Sequence, residues 1–122
     1  MRKSIDIKKL EKALPPNCSN EIKLGYLYLY LNSDEAGVID YKEHEHSLLK
    51  FAGLRLSLWP STLFPRMEHM LTFHKNLIIV NHFVEWNYGK LKSNYNPHSK
   101  AFKVIEKRGL KYNQETNRIE HN

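Results

Sequence analysis

Apolar residues along this chain recur at helical spacing in some stretches and run together or alternate in others, and the two patterns divide it into elements. Ile5, Ile7, Leu10 and Leu14, separated by lysines, predict a short amphipathic helix ended by Pro15 and Pro16, packed as an N-terminal flap over residues 1–18. Leu24 to Leu31 is ambiguous, because strict Tyr/Leu alternation is a strand signal. Helix is preferred: Leu24, Leu27, Tyr28 and Leu31 satisfy i, i+3, i+4, i+7, and Asn17, Ser19 or Asn20 can cap it. Tyr26 and Tyr30 then lie one turn apart on a neighbouring face, as a core or half-buried aromatic surface rather than a ladder for stacking bases. Asn32 to Gly37 is a polar turn, Val38 to Tyr41 a short strand, and Ser47 to Ala52 a short helix closed by Gly53.

The second half alternates between elements more quickly. A helix is expected between Ser61 and Phe73, with Leu63, Met67, Met70 and Leu71 inward and Thr62, Arg66 and His69 outward. Pro60 and Pro65 leave two starts open, near Ser61 with strain at Pro65, or at Pro65 itself. Two apolar runs flanking Lys75-Asn76 predict a hairpin, with Leu77 to Val80 as a buried strand. Phe83 to Leu91 is aromatic, with Trp86 and Tyr88 read as core plugs and Gly89 as the end of a helical or bulged segment. Asn96-Pro97 starts a helix over 97–109 that Gly109 stops, with Ala101, Phe102 and Ile105 buried and Lys100, Lys103 and Lys107 along one exposed face. Residues 111–122 form a tail or a small hairpin turning through Gln114 to Asn117.

Charge changes this picture by being unevenly placed. The chain carries a formal +6 with a pI near 9.4, which favours an acidic partner such as nucleic acid. Residues 32–46 hold five carboxylates against the single Lys42, whereas residues 87–111 hold seven basic side chains against the single Glu106. The molecule is therefore expected to be electrostatically polar.

Other chemistry is sparse. One cysteine, Cys18, excludes an internal disulfide and suits a reducing, cytoplasmic setting. No signal peptide is expected behind Arg2 and Lys3, and the longest apolar run, Tyr26 to Leu31, is too short to span a bilayer. His44 and His46 would share a face on a strand, but no third ligand sits at metal spacing, so they read as solvated surface. No phosphate loop, nucleophile motif or paired acid stands out, and neither an enzyme nor a cofactor is expected.

The order helix, strand, helix, turn, helix, hairpin is that of a winged helix, an α+β and mainly helical fold in which a helix-turn-helix is followed by a small β-hairpin wing, here with an additional C-terminal basic helix. From about Glu21 to Leu110 the chain resembles the N-terminal domain of phage and plasmid replication-initiation proteins of the replisome-organiser type. The resemblance rests on a Tyr/Leu-rich helix running into the Asn32 to Val38 turn and on Phe83, Trp86, Tyr88, Gly89 and Leu91. Asn96, Pro97, His98 and the basic helix complete it. It implies one domain over residues 19–110 that binds origin-type double-stranded DNA. In longer relatives a C-terminal domain, for which 122 residues leave no room, recruits replication proteins.

The expected mechanism is mainly electrostatic. Arg55, Ser61, Thr62 and Arg66 would meet a groove or its phosphates, while Lys75 and Asn76 at the wing tip, with Lys90, Lys92, Lys100, Lys103 and Lys107, would meet flanking phosphates. The alternative is a protein-binding module that docks on or inhibits a host protein through Tyr26, Tyr30 or the acidic 34–45 face. Monomer and dimer, and DNA and RNA, are both compatible with the residues.

Overall fold

A computed structural model describes residues 3–54 and 64–121. Its elements are α1 (Ile7–Ala13), α2 (Asn20–Asn32), β1 (Val38–Asp40), α3 (Tyr41–Ala52), β2 (Leu71–His74), β3 (Leu77–Val80), α4 (Phe83–Tyr88), a 3-10 turn (Asn96–His98), α5 (Ser99–Lys107), β4 (Leu110–Asn113) and β5 (Arg118–His121). The fold is α+β. The first three strands form an antiparallel sheet in the order β1-β3-β2, with Val38 opposite Ile79 and Phe73 opposite Ile78. β4 and β5 pair separately, and the turn between them spans Gln114 to Asn117.

The small sheet is covered on both faces, and the alternation of β-strand side chains explains how. Ile39, Ile78, Val80 and Leu71 point into a core shared with Leu10 of α1, Tyr26, Leu29 and Tyr30 of α2, and Tyr41 and Leu48 of α3. Val38, Ile79 and the partly buried Leu77 point the other way, into a cluster with Val84, Leu91, Ala101, Ile105, Leu110 and Ile119. The basic helix and the last hairpin thus lie on the sheet face opposite α2 and α3.

Local signals set most helix ends. Asp6 caps α1 through Lys8 N–H at 2.9 Å, and α1 stops before Pro15. Ser19 caps α2 through Ile22 N–H at 3.2 Å. The start of α3 is capped from a distance: the carbonyl of Asn76, in the β2–β3 turn, accepts from Tyr41 N–H at 2.8 Å, and its Oδ1 accepts from Lys42 N–H at 2.9 Å. Asp40, which immediately precedes α3, makes no side-chain cap. Gly53 closes α3 in the left-handed region at φ 75°, as expected.

Three expectations change, and one open alternative closes. The buried face of α2 is Gly25, Tyr26, Leu29 and Tyr30, while Leu24 and Leu31 are exposed; the core took the large rings and turned part of the predicted Leu stripe outward. Tyr41 belongs to α3, which begins there rather than at Ser47, because the Asn76 cap lies beside residue 41. The helix expected over 61–73 is not formed in its described part. Residues 64–70 are turns, Arg66 has φ 62°, and Leu71 and Phe73 are in β2. Met67, Met70 and Leu71 nonetheless point inward. Finally, residues 110–121 take the hairpin alternative, held by Ile119 in the second cluster.

Two glycines mark close approaches. Gly37 sits at φ 79°, and a Cβ there would lie 2.4 Å from Phe83 Cβ, so the turn into β1 can reach α4 only without a side chain. Gly25 lets Phe64 rest on α2, where a Cβ would meet its ring at 2.8 Å.

Candidate nucleic-acid interface

α5 is a strongly one-sided helix. Ala101 and Ile105 are buried against the sheet, Phe102 is half-buried, and Lys100, Lys103 and Lys107 are exposed on the outer side, followed by exposed Lys111 on β4. Its entry is built by the 3-10 turn, with Pro97 fixing the backbone early in the turn. The buried His98 accepts from Lys92 N–H through Nδ1 at 2.9 Å. The loop carrying the exposed Lys90 and Lys92 is thereby tied to the start of the basic helix.

The far end of α5 is fixed by charge. Arg108 Nε donates to Asp34 Oδ2 at 2.8 Å, and its Nη1 donates to Asp40 Oδ2 at 3.3 Å, with all three side chains largely covered. Asp34 is fully used, since its Oδ1 also accepts from Ala36 N–H at 2.9 Å and Val38 N–H at 3.1 Å. Part of the acidic segment is therefore consumed holding the basic segment in place. The sequence hides this arrangement: the two carboxylates lie 74 and 68 residues before Arg108 and no local motif links them.

The remaining predicted contacts distribute as follows. Lys75 is exposed at the tip of the β2–β3 turn with φ 54°. Asn76 beside it is half-buried, and its carbonyl oxygens cap α3, so its first role is structural. Arg66 is exposed but stands in a turn rather than on a helix. Arg55, Ser61 and Thr62 lie outside the described residues. The structure thus brings Lys90, Lys92, Lys100, Lys103 and Lys107 onto one helix and its entry loop, and leaves Arg66 in a separate segment.

Of the surfaces named for the alternative, the two tyrosines lie inside the core, whereas Glu43 of the acidic face is exposed. Tyr26 and Tyr30 are fully buried. The Tyr30 hydroxyl donates to the Ser4 carbonyl and accepts from Asn87 Nδ2 at 2.7 Å, whereas the Tyr26 hydroxyl has no partner among the described residues. Burial pushes both phenols up from their ordinary pKa. His44 accompanies Tyr28, 2.8 Å from its hydroxyl, while His46 is exposed. Both are on α3, so they do not share the strand face that chelation would require. Among the described residues no group of three metal-ligating side chains is present, and no helix is long and apolar enough to cross a membrane.

Where the last hairpin meets the β2–β3 hairpin, His74 and His121 stack at 4.1 Å and 3°. Burial, then the neighbouring His121 and Lys75, hold His74 below the usual histidine range. Tyr88 donates to the Glu35 carbonyl at 2.6 Å, and burial followed by Glu35 and Asp34 pushes its phenol up to about 12. Both rings are therefore neutral near pH 7.

No protein-family model, curated protein or solved structure matches the chain. The functional reading therefore rests on its own geometry and charge.

Proposed function

We propose that this is a winged-helix DNA-binding protein whose main contact surface for duplex DNA is the lysine row of α5. The observation that carries the reading is the outer face of that helix. Lys100, Lys103 and Lys107 are exposed together on an element whose other side is buried and whose end is clamped by Arg108. Lysines spaced along one anchored helix suit phosphates, which are read by charge and position rather than by base edge.

The winged-helix part of the reading is supported by element order. α2, β1, α3, residues 53–70, β2 and β3 follow one another, and the strands lie in the order β1-β3-β2. In this reading the β2–β3 turn is the wing and Lys75 its phosphate contact. Groove contacts by Arg55, Ser61 and Thr62 belong to the same proposal, and so does the likeness to replisome-organiser domains in a cytoplasmic, replication-related setting. Arg66 would act from its turn as a phosphate contact.

Duplex titration tests it. With about four to six phosphates neutralised, log affinity falls against log salt with a slope of about −4 to −5. Binding that is absent, or that ignores salt, overturns the proposal.

A further inference from the structure

A line of rings runs from the core to the surface at the entry to α5. Phe83 and Tyr88 meet at 6.4 Å, Tyr88 and His98 at 5.1 Å, and His98 and Tyr95 at 4.8 Å, each pair edge to face. The inner ring is fully buried and the outermost, Tyr95, is 51% exposed. Its backbone is held on both sides, because Tyr95 N–H donates to the Lys92 carbonyl at 3.1 Å and His98 N–H donates to the Tyr95 carbonyl at 3.0 Å. Lys92 N–H is in turn taken by His98 Nδ1 and Leu91 N–H by the Tyr112 hydroxyl. Tyr95 is thus an aromatic ring on a braced loop that no core position requires.

The segment that carries the ring is basic. Lys90, Lys92 and Lys100, before and after Tyr95 in the chain, are exposed, and no acidic residue occurs in the sequence between Glu85 and Glu106. An open aromatic ring on a braced, lysine-rich segment that carries no carboxylate of its own is the composition of a platform on which an unpaired base stacks while the charges follow its backbone. In a duplex the base faces are already occupied by their neighbours, so Tyr95 has nothing to stack on there.

We infer that Tyr95, with Lys90, Lys92 and Lys100, forms a binding site for an unpaired nucleobase of a single-stranded nucleic acid, centred on the Tyr95 ring and sharing only Lys100 with the duplex contact proposed for α5. The site would take any base, since stacking needs only a flat π-face, and it places a strand separated from its partner beside the basic helix. This inference goes beyond duplex binding and does not depend on it.

The test is fluorescence anisotropy with a labelled oligothymidylate, the matching oligouridylate and a duplex of equal length, using the wild-type chain, Tyr95→Ala and Tyr95→Phe. Tyr95→Ala is expected to weaken the oligothymidylate about tenfold or more, with Tyr95→Phe close to wild type and duplex affinity within about twofold of it. The same loss with oligouridylate extends the site to RNA, whereas a loss confined to oligothymidylate assigns it to DNA; either result supports the platform. Because Tyr95 lies at the surface, an unchanged thermal melt confirms that the variants are folded. The inference is overturned if wild type binds neither single strand, if Tyr95→Ala leaves their affinity unchanged, or if it weakens strand and duplex equally. Failure of duplex binding with a Tyr95-dependent single-strand affinity would remove the duplex proposal and leave this one standing.

Discussion

The two faces of the central sheet are built from different materials. The face toward α2 and α3 is packed with tyrosines and aliphatic residues at almost complete burial. The opposite face carries α5 and the last hairpin on a cluster of smaller side chains, and completes its attachment with the Arg108 ion pairs and the His74–His121 stack. Apolar packing is insensitive to salt and nearly so to pH, whereas ion pairs and imidazoles respond to both. The attachment of α5 and the last hairpin is therefore the more sensitive of the two to salt and pH.

The largest expected effect is at the point where α4 passes between the faces. Gly37→Ala forces a side chain into Phe83 at a left-handed backbone position, and a destabilisation of about 3 kcal/mol or more is expected in urea unfolding. The helical face is next, where two tyrosines should behave oppositely. Tyr30→Phe removes bonds to Ser4 and Asn87 and should cost about 1–3 kcal/mol. Tyr26→Phe deletes a buried hydroxyl that has no partner among the described residues and should be neutral or stabilising. Equal costs for the two would break the account of that core.

The other face should yield smaller, condition-dependent effects. Arg108→Met should cost about 1 kcal/mol, less at high salt, since the pairs are partly exposed. The smallest effect is a pH dependence. Burial holds His82 below its ordinary pKa, as it does His74, where His121 and Lys75 add to it. Their contribution is present above the unfolded value near 6.5 and is lost as pH falls below it, because the unfolded chain then binds more protons. The melting temperature should therefore decline below about pH 6.5, and His74→Gln should flatten the decline.

The same contrast explains what could be read in the sequence. α5 was legible because its apolar and lysine positions separate cleanly at helical spacing, and the β2–β3 hairpin because two apolar runs bracket a two-residue turn. α2 was legible as a helix but not in its orientation. It is apolar nearly all round, so which stripe is buried was decided by the partners Phe64, Phe83 and Ile39 rather than by its own pattern. The segment 64–70 misled because buried Met67, Met70 and Leu71 mimic a helical stripe, while Pro65 and the left-handed Arg66 make turns. At the candidate interface the lysines were visible, but the way they are held was not. Asn76 as a remote helix cap and Arg108 as a clamp depend on partners that no local spacing announces, while His98, visible in the sequence, braces the Tyr95 loop through a backbone N–H that carries no side-chain signal.

The central claim is that the lysine row of α5 is a duplex-binding surface, and salt-dependent binding of the triple variant Lys100→Glu, Lys103→Glu, Lys107→Glu tests it most directly. All three positions are exposed, so the variant should fold as the wild type does. The account predicts a large loss of affinity for duplex DNA of any sequence, with the slope of log affinity against log salt reduced in magnitude by about 3. An unchanged affinity and slope in a folded triple variant would contradict it.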